Sequence, residues 1–273
     1  MPELPEVENV RLSLMQVPLI GTKFARLELR RLNLRTPLAQ ELTHCLPGQT
    51  IVAIRRRAKF LLFETEDYTL VNHLGMSGSW RVEDGESALR LHDHVVMEFQ
   101  SGLRLVFNDP RRFGLLELVD KARIWQSKWL RHLGPEPLDP EFHPEFLFQG
   151  TRRLKTPVKN FIMDQKRVVG VGNIYASEAL FAAGVKPTRP AGKITRKESE
   201  RIVASVREIL QKAIQAGGST IRTYQNSRGE SGRFQMMFLV YDRAGLKCTS
   251  CESKIRSRII AGRNTFWCPR CQH

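Results

Sequence analysis

CTSCESKIRSRIIAGRNTFWCPRC, residues 248–271, holds two C-x2-C pairs, Cys248 with Cys251 and Cys268 with Cys271. Each pair turns two thiolates toward one point, and two pairs complete a tetrahedral zinc shell with no position left for a substrate. The expectation is one structural Zn2+ holding a ribbon. Two disulfides in a secreted protein are the alternative. The opening MPELPEVENV is acidic and lacks the charged-then-apolar order of a signal peptide, so a cytoplasmic chain with reduced, metal-ready thiols is expected. The fifth cysteine, Cys45, has no nearby partner and is expected to pack as a small apolar residue.

Upstream of the ribbon the hydrophobic period is helical. Residues 195–218 place Thr195 and Glu198 in capping-box spacing, Ile202, Val206, Ile209 and Ala213 on one face, and Gly217 at the exit. Residues 133–146, LGPEPLDPEFHPEF, are rich in proline and acids and read as a linker. Before it, segments 23–31, 50–64, 67–74, 92–99, 103–109 and 114–119 are short, alternating or β-branched, and separated by turns. A first helix carries Val7, Val10 and Leu14. The class is α+β and multidomain. The expected domains are an N-terminal β-sandwich with its helix at 1–132, a linker at 133–150, a helical domain at 151–237 and the zinc ribbon at 238–273.

The 273 residues carry 43 Lys and Arg against 28 Asp and Glu, a formal charge of +15. That excess exceeds what solubility requires and implies a polyanionic partner, with nucleic acid first and generic adhesion as the alternative. No apolar run approaches the ~20 residues that span a bilayer.

Removal of Met1 before a small second residue is expected to leave Pro2 with a free secondary amine. With a pKa near ~8, such an amine is partly unprotonated at neutral pH and can attack an electrophilic carbon to give an iminium. Glu3 stands beside it as a candidate acid.

The segments PELPEVE (2–8), RRAKFLLFE (56–64), HLGMSGS (73–79), HDHV (92–95), NDPRRFG (108–114), LGPEPL (133–138), VVGVGNIYASEALF (168–181), GGST (217–220) and AGRNTFWCPRC (261–271) run through the chain. Their order and spacing resemble the bacterial formamidopyrimidine-DNA glycosylases, within the wider group that includes endonuclease VIII. The resemblance implies an enzyme that excises oxidised purines, chiefly 8-oxoguanine opposite cytosine and formamidopyrimidines, from double-stranded DNA. It then nicks the abasic strand by β- and δ-elimination, acting as a monomer and needing no membrane.

By the same resemblance Pro2 is the Schiff-base nucleophile, Glu3 the proton donor, and Glu6 its support or merely a first-turn acid facing the helix dipole. Lys59, placed by alternation on a strand face, assists proton transfer, and Arg263 of the ribbon takes part in the δ-elimination. His92 meets the DNA backbone; a metal site at His92, Asp93 and His94 is not expected, since neighbours on a strand face opposite ways. Met76, Arg111 and Phe113 enter the duplex as the lesion leaves, recovering part of the stacking lost, with Arg111 reading the orphaned cytosine. Asn173 opens a helix in a helix-two-turn-helix and holds phosphate there. Lys155 binds DNA, and Lys159 is a candidate second phosphate contact.

Three residues depart from the family pattern: Asn9 replaces the usual threonine, Asp242 a glycine, and Asn264 a smaller residue. Asp242 puts the turn into the ribbon in question, because glycine there supplies a positive φ. Two rival functions remain at this level. One is an endonuclease VIII-like glycosylase for oxidised pyrimidines; the other is a zinc-ribbon DNA-binding protein without catalysis, in which Pro2 is dispensable. Residues 219–234 are polar and glycine-punctuated enough to close over an extruded base.

Overall fold

Leu4–Met15 forms α1, beginning behind a reciprocal capping box between Glu3 and Glu6 with Pro5 in its first turn. Val7, Val10 and Leu14 recur at helical spacing and are all buried. The computed structural model describes residues 1–85, 87–220 and 224–273, and divides them into two compact units. The first joins Met1–Arg131 to Gly217–Arg233; the second joins His132–Ala216 to Phe234–His273.

The first unit holds α1, β1 (Phe24–Leu29), the short α2 (Leu42–Cys45), β2 (Ala53–Arg57), β3 (Phe60–Glu64), β4 (Tyr68–His73), β5 (Ser79–Asp84), β6 (Asp93–Phe99), β7 (Leu103–Asn108) and β8 (Leu115–Asp120). The strands form two four-stranded sheets, ordered β1-β6-β7-β5 and β2-β3-β4-β8. Both sheets and α1 contribute to one apolar cluster, which makes the sandwich. Trp80 of β5 joins the layers, its ring 5.4 Å from that of Phe63 on β3 and 4.8 Å from that of Phe107 on β7. Its buried indole N–H donates to Asn72 Oδ1 at 2.8 Å, and Asn72 Nδ2 donates to the Leu115 carbonyl at 2.9 Å. No polar atom of that pair is left unmet.

The second unit holds α3 (Pro144–Thr151), α4 (Val158–Met163), α5 (Asn173–Ala182), α6 (Arg196–Gln215), β9 (Arg256–Ile260) and β10 (Arg263–Trp267). α6 starts at the Thr195–Glu198 capping box, buries Ile202, Val206, Ile209 and Ala213, and ends before Gly217 at φ 79°. β9 and β10 form the ribbon hairpin.

Two expectations are corrected. Residues 133–150 are not a bare linker: α3 starts within them, and Val169 N donates to the Pro135 carbonyl at 3.1 Å, so the stretch packs into the second unit. By compactness the helices and the ribbon fall into one unit, while 217–233 falls with the sandwich. Lys59 is not on a strand face. It occupies the two-residue turn between β2 and β3, where Arg57 pairs with Phe60 and Ala58 takes φ 54°. Among the described residues no helix is long and apolar enough to cross a membrane.

Candidate active site and nucleic-acid interface

In the first unit the chain terminus is held, not frayed. Pro2 is buried, as are Glu3 and Glu6. The terminal ammonium, carried by Met1, is pulled below its usual range by burial first, partly offset by Glu3 and Glu6, with Lys59 and Arg111 pushing further down. Those four charged side chains therefore lie within electrostatic reach of the terminal nitrogen. Lys59 is itself 6% exposed, an amine aimed inward from its turn.

Glu6 does more than face a helix dipole. Its Oε2 accepts from Glu3 N at 2.8 Å, and its Oε1 accepts from Ser219 N at 2.7 Å. Tyr224 completes the junction by donating its hydroxyl to the Glu6 carbonyl at 2.9 Å. Gly218 has φ 81°, and a Cβ there would stand 2.9 Å from Glu6 Oε1, so glycine is what lets the segment approach. The expected closure of residues 219–234 over a base falls partly on 221–223, which lie outside the described residues.

Met76 is 42% exposed and Phe113 45%, with Arg111 also exposed, so the three expected wedge residues are presented outward. They also meet one another. The Arg111 guanidinium lies 4.9 Å from the centre of the Phe113 ring. A Cβ on Gly75 would stand 2.3 Å from the Phe113 carbonyl carbon, which places the Met76 loop directly on the Phe113 loop. His73, at the foot of the first loop, accepts from Gly75 N through Nδ1 at 2.9 Å. Its pKa is depressed to about 4 by burial, with the charges of Lys59 and Arg35 adding to the effect.

His92 sits at φ 74° just before β6, half-buried, on a cleft of about 300 Å³ that Arg81, Arg90 and Asn226 also line. No metal site forms with its neighbours. The Asp93 carboxylate is taken by Arg81 at 2.9 Å, Asn108 Nδ2 at 2.7 Å and Arg90 N at 2.7 Å, while His94 Nε2 bonds the Asp109 carbonyl at 3.0 Å.

In the second unit Lys155 is exposed on the loop before α4, as a DNA contact requires. Lys159 is not such a contact. It is 1% exposed, and its ammonium donates to Asn173 Oδ1 at 2.5 Å, Thr265 Oγ1 at 2.8 Å and the Asn264 carbonyl at 3.2 Å. A buried ammonium with its donors engaged has a positioning role, and here it fixes the hairpin to the start of α5. Asn173 adds a bond of its own from Nδ2 to the Asn264 carbonyl at 3.0 Å. Only the backbone of residue 264 is used in these bonds, which explains how asparagine is accommodated there.

Arg263 is exposed at the first position after the turn Ala261–Gly262, whose φ values of 47° and 73° are those of a tight hairpin turn. Asp242 adopts φ 58°, so the left-handed conformation expected of glycine is kept by aspartate. Asn9 turns its Nδ2 back to the Pro5 carbonyl at 2.9 Å.

The sulfurs of Cys248, Cys251, Cys268 and Cys271 all lie within 4.8 Å of one another. Tetrahedral zinc with bonds of about 2.3 Å separates its sulfurs by about 3.8 Å, and the Cys248–Cys271 and Cys251–Cys268 distances are 3.9 and 3.4 Å. Burial first, then the neighbouring sulfurs, pushes the Cys271 thiol well up, so without a cation the four cannot all ionise. The set fits zinc, and it is the one such metal-binding group among the described residues.

The buried Glu178 was not legible in the sequence. From α5 it accepts backbone N–H bonds from Leu239, Val240 and Tyr241 at 2.7–3.0 Å and anchors the entry to the ribbon.

Residues 1–116 match the formamidopyrimidine-DNA glycosylase N-terminal domain, 133–225 its H2TH domain, and 245–273 a zinc finger found in FPG and IleRS. The chain belongs to the formamidopyrimidine-DNA glycosylase family. It is 45% identical over 273 residues to the formamidopyrimidine-DNA glycosylase of Bdellovibrio bacteriovorus and 47% identical over 277 to that of Stenotrophomonas maltophilia, each covering 100% of both chains. A Lactococcus lactis FPG variant bound to Fapy-dG-containing DNA superposes with a TM-score of 0.92 at 35% identity over 100% of both chains. The Lactococcus lactis enzyme bound to abasic-site DNA gives 0.91 at 35% over 99% of each. As in the family, the four cysteines hold one structural zinc.

Proposed function

We propose that this glycosylase and abasic-site lyase excises oxidised purines from double-stranded DNA through Pro2, exposed as the mature terminus by loss of Met1. The observation that carries the reading is that Pro2 and Glu3 are buried at the start of α1 with the buried Lys59 in electrostatic reach, and that burial already lowers the proton affinity of the amine one residue upstream. An unprotonated secondary amine is the attacking form. Its lone pair bonds C1′ of the damaged nucleotide, the glycosidic bond breaks, and the base departs with a proton. The C1′–O4′ bond then opens, O4′ taking a proton from Glu3, and the iminium so formed acidifies C2′–H. Loss of that proton expels the 3′ phosphate, and a second elimination expels the 5′ phosphate.

Glu3 is the proton donor at the opening sugar, held by its place in the capping box, and Lys59 serves the β-elimination. Arg263 assists the second elimination, while His92, Lys155 and Asn173 bind the DNA backbone. Met76, Arg111 and Phe113 fill the space the lesion vacates. The zinc takes no part in the chemistry; it fixes the hairpin that carries Arg263. The enzyme acts as a monomer in the bacterial cytoplasm on nucleoid DNA.

Oxidised pyrimidines form a second candidate class, since a similar Lactococcus lactis FPG structure holds DNA with an oxidised pyrimidine. A lesion panel ranks the two. The test of the mechanism is borohydride trapping on an 8-oxoguanine duplex, with the sugar remnant mapped to Pro2. An added residue before Pro2 should abolish the adduct while zinc content and DNA binding persist. Full trapping by that extended enzyme would move the nucleophile to Lys59.

A further inference from the structure

Three wedge residues on two separate loops must enter a stacked duplex together, and the structure shows what couples the loops before DNA arrives. Asp109, fully buried, splits its carboxylate between them. Oδ1 accepts from the Ser77 hydroxyl at 2.6 Å and Oδ2 from Gly114 N at 2.7 Å. The Ser77 oxygen in turn accepts from Arg111 N at 3.1 Å. One hydroxyl thus donates to the carboxylate and accepts from the backbone of the residue that faces the partner base. Ser77 directly follows Met76, so the same atom ties the Met76 loop to the Arg111–Phe113 loop.

We propose that Ser77 is the positioning residue for recognition of the base opposite the lesion, through the Asp109–Ser77–Arg111 chain of hydrogen bonds; this rests on Arg111 being the reader of that base. A guanidinium stacked on Phe113 has its side-chain direction narrowed, but its height above the sandwich is set by its backbone. Ser77 fixes that backbone. Without the hydroxyl, Arg111 N loses its acceptor and Asp109 Oδ1 loses a buried donor, and the loops order only on binding. Ordering at that moment weakens recognition of correct and incorrect partners alike, whereas a preset reader separates them.

Only a side chain that both donates and accepts at this place meets the requirement. Threonine does so, alanine does neither, and cysteine does both weakly.

The experiment measures 8-oxoguanine excision opposite cytosine and opposite adenine by the full-length zinc-loaded protein, for wild type, S77A, S77C, S77T, R111A and S77A/R111A. The readout is the ratio of the two rates. S77A is expected to lower that ratio about 3- to 10-fold, the effect of losing one net hydrogen bond to a positioned group. S77T should stay within about twofold of wild type, with S77C between the two. The double variant should match R111A, because both changes remove one effect. An unchanged ratio in S77A beside a lowered one in R111A overturns the coupling alone. Additive losses in the double variant overturn it too. An unchanged ratio in R111A removes the reader, and the proposal falls with it. If S77A does not fold, S77C carries the test, and a wild-type ratio there counts against the proposal.

Discussion

The sandwich and the ribbon solve the same problem by different means. In the sandwich both sheets and α1 close over one continuous apolar cluster in which Trp80, Phe63 and Phe107 meet. The ribbon's cluster is small: Phe181, Val240, Cys248, Ile255, Phe266 and Cys268, two of its six buried members being metal ligands. Residues 256–259 of β9 are all exposed. A hairpin with so little covered surface does not stand alone in water, and metal coordination substitutes for the missing burial. Order in one region comes from area, and in the other from four bonds to one ion.

The largest effect separating the two regions should come from zinc. Chelation, or C268S, is expected to unfold the ribbon and abolish tight DNA binding, because coordination of this type supplies roughly 10–16 kcal/mol. The sandwich should keep its near-ultraviolet signature from Trp80. Normal zinc content and DNA affinity in C268S would break the distinction. Trp80→Ala should do the reverse, lowering stability by about 3–5 kcal/mol through the cavity it leaves, with zinc content per folded molecule unchanged.

Acid should come next. His73 has its pKa depressed to about 4 by burial, with help from Lys59 and Arg35, against about 6.5 in the unfolded chain. Between those values the unfolded state binds more protons. The contribution of His73 is therefore full above pH 6.5, is lost as pH falls toward 4, and reaches at most about 3 kcal/mol. Urea midpoints of the sandwich measured from pH 7 to 4 should show this slope, and H73Q should flatten it. The smallest effect belongs to the open face of the ribbon. Ile259 is 68% exposed, so Ile259→Ala should change stability by less than about 0.5 kcal/mol. A larger loss would mean that β9 is covered after all.

Local rules were legible and distant convergence was not. The cysteine spacing, the Thr195–Glu198 box and the amphipathic α1 are written in neighbouring residues, and each appears in place. Lys59 was misplaced because alternation cannot distinguish a strand residue from a two-residue turn within one basic run. Proline in residues 133–146 read as a breaker, yet Pro144 stands at the first turn of α3 behind His143, whose Nδ1 accepts from Phe146 N at 3.2 Å. Lys159 read as a phosphate contact because its acceptors lie 14, 105 and 106 residues away. No window of sequence contains them. Asp109 lies in the segment NDPRRFG, but nothing near it in sequence shows that its carboxylate joins two loops.

The bond from Ser219 N to Glu6 spans 213 residues. A ribosome makes the amino terminus first, yet the segment that docks on Glu6 follows most of the helices. During synthesis, α1 and the strands through β8 are complete while Glu6 still lacks its Ser219 partner. A fragment ending at residue 216 carries Pro2, Glu3 and Lys59 without the strap that holds the start of α1. The end of the protein proposed to react is therefore the earliest part made and among the last to be finished, so a nascent chain carries Pro2 well before the surroundings of Pro2 are complete.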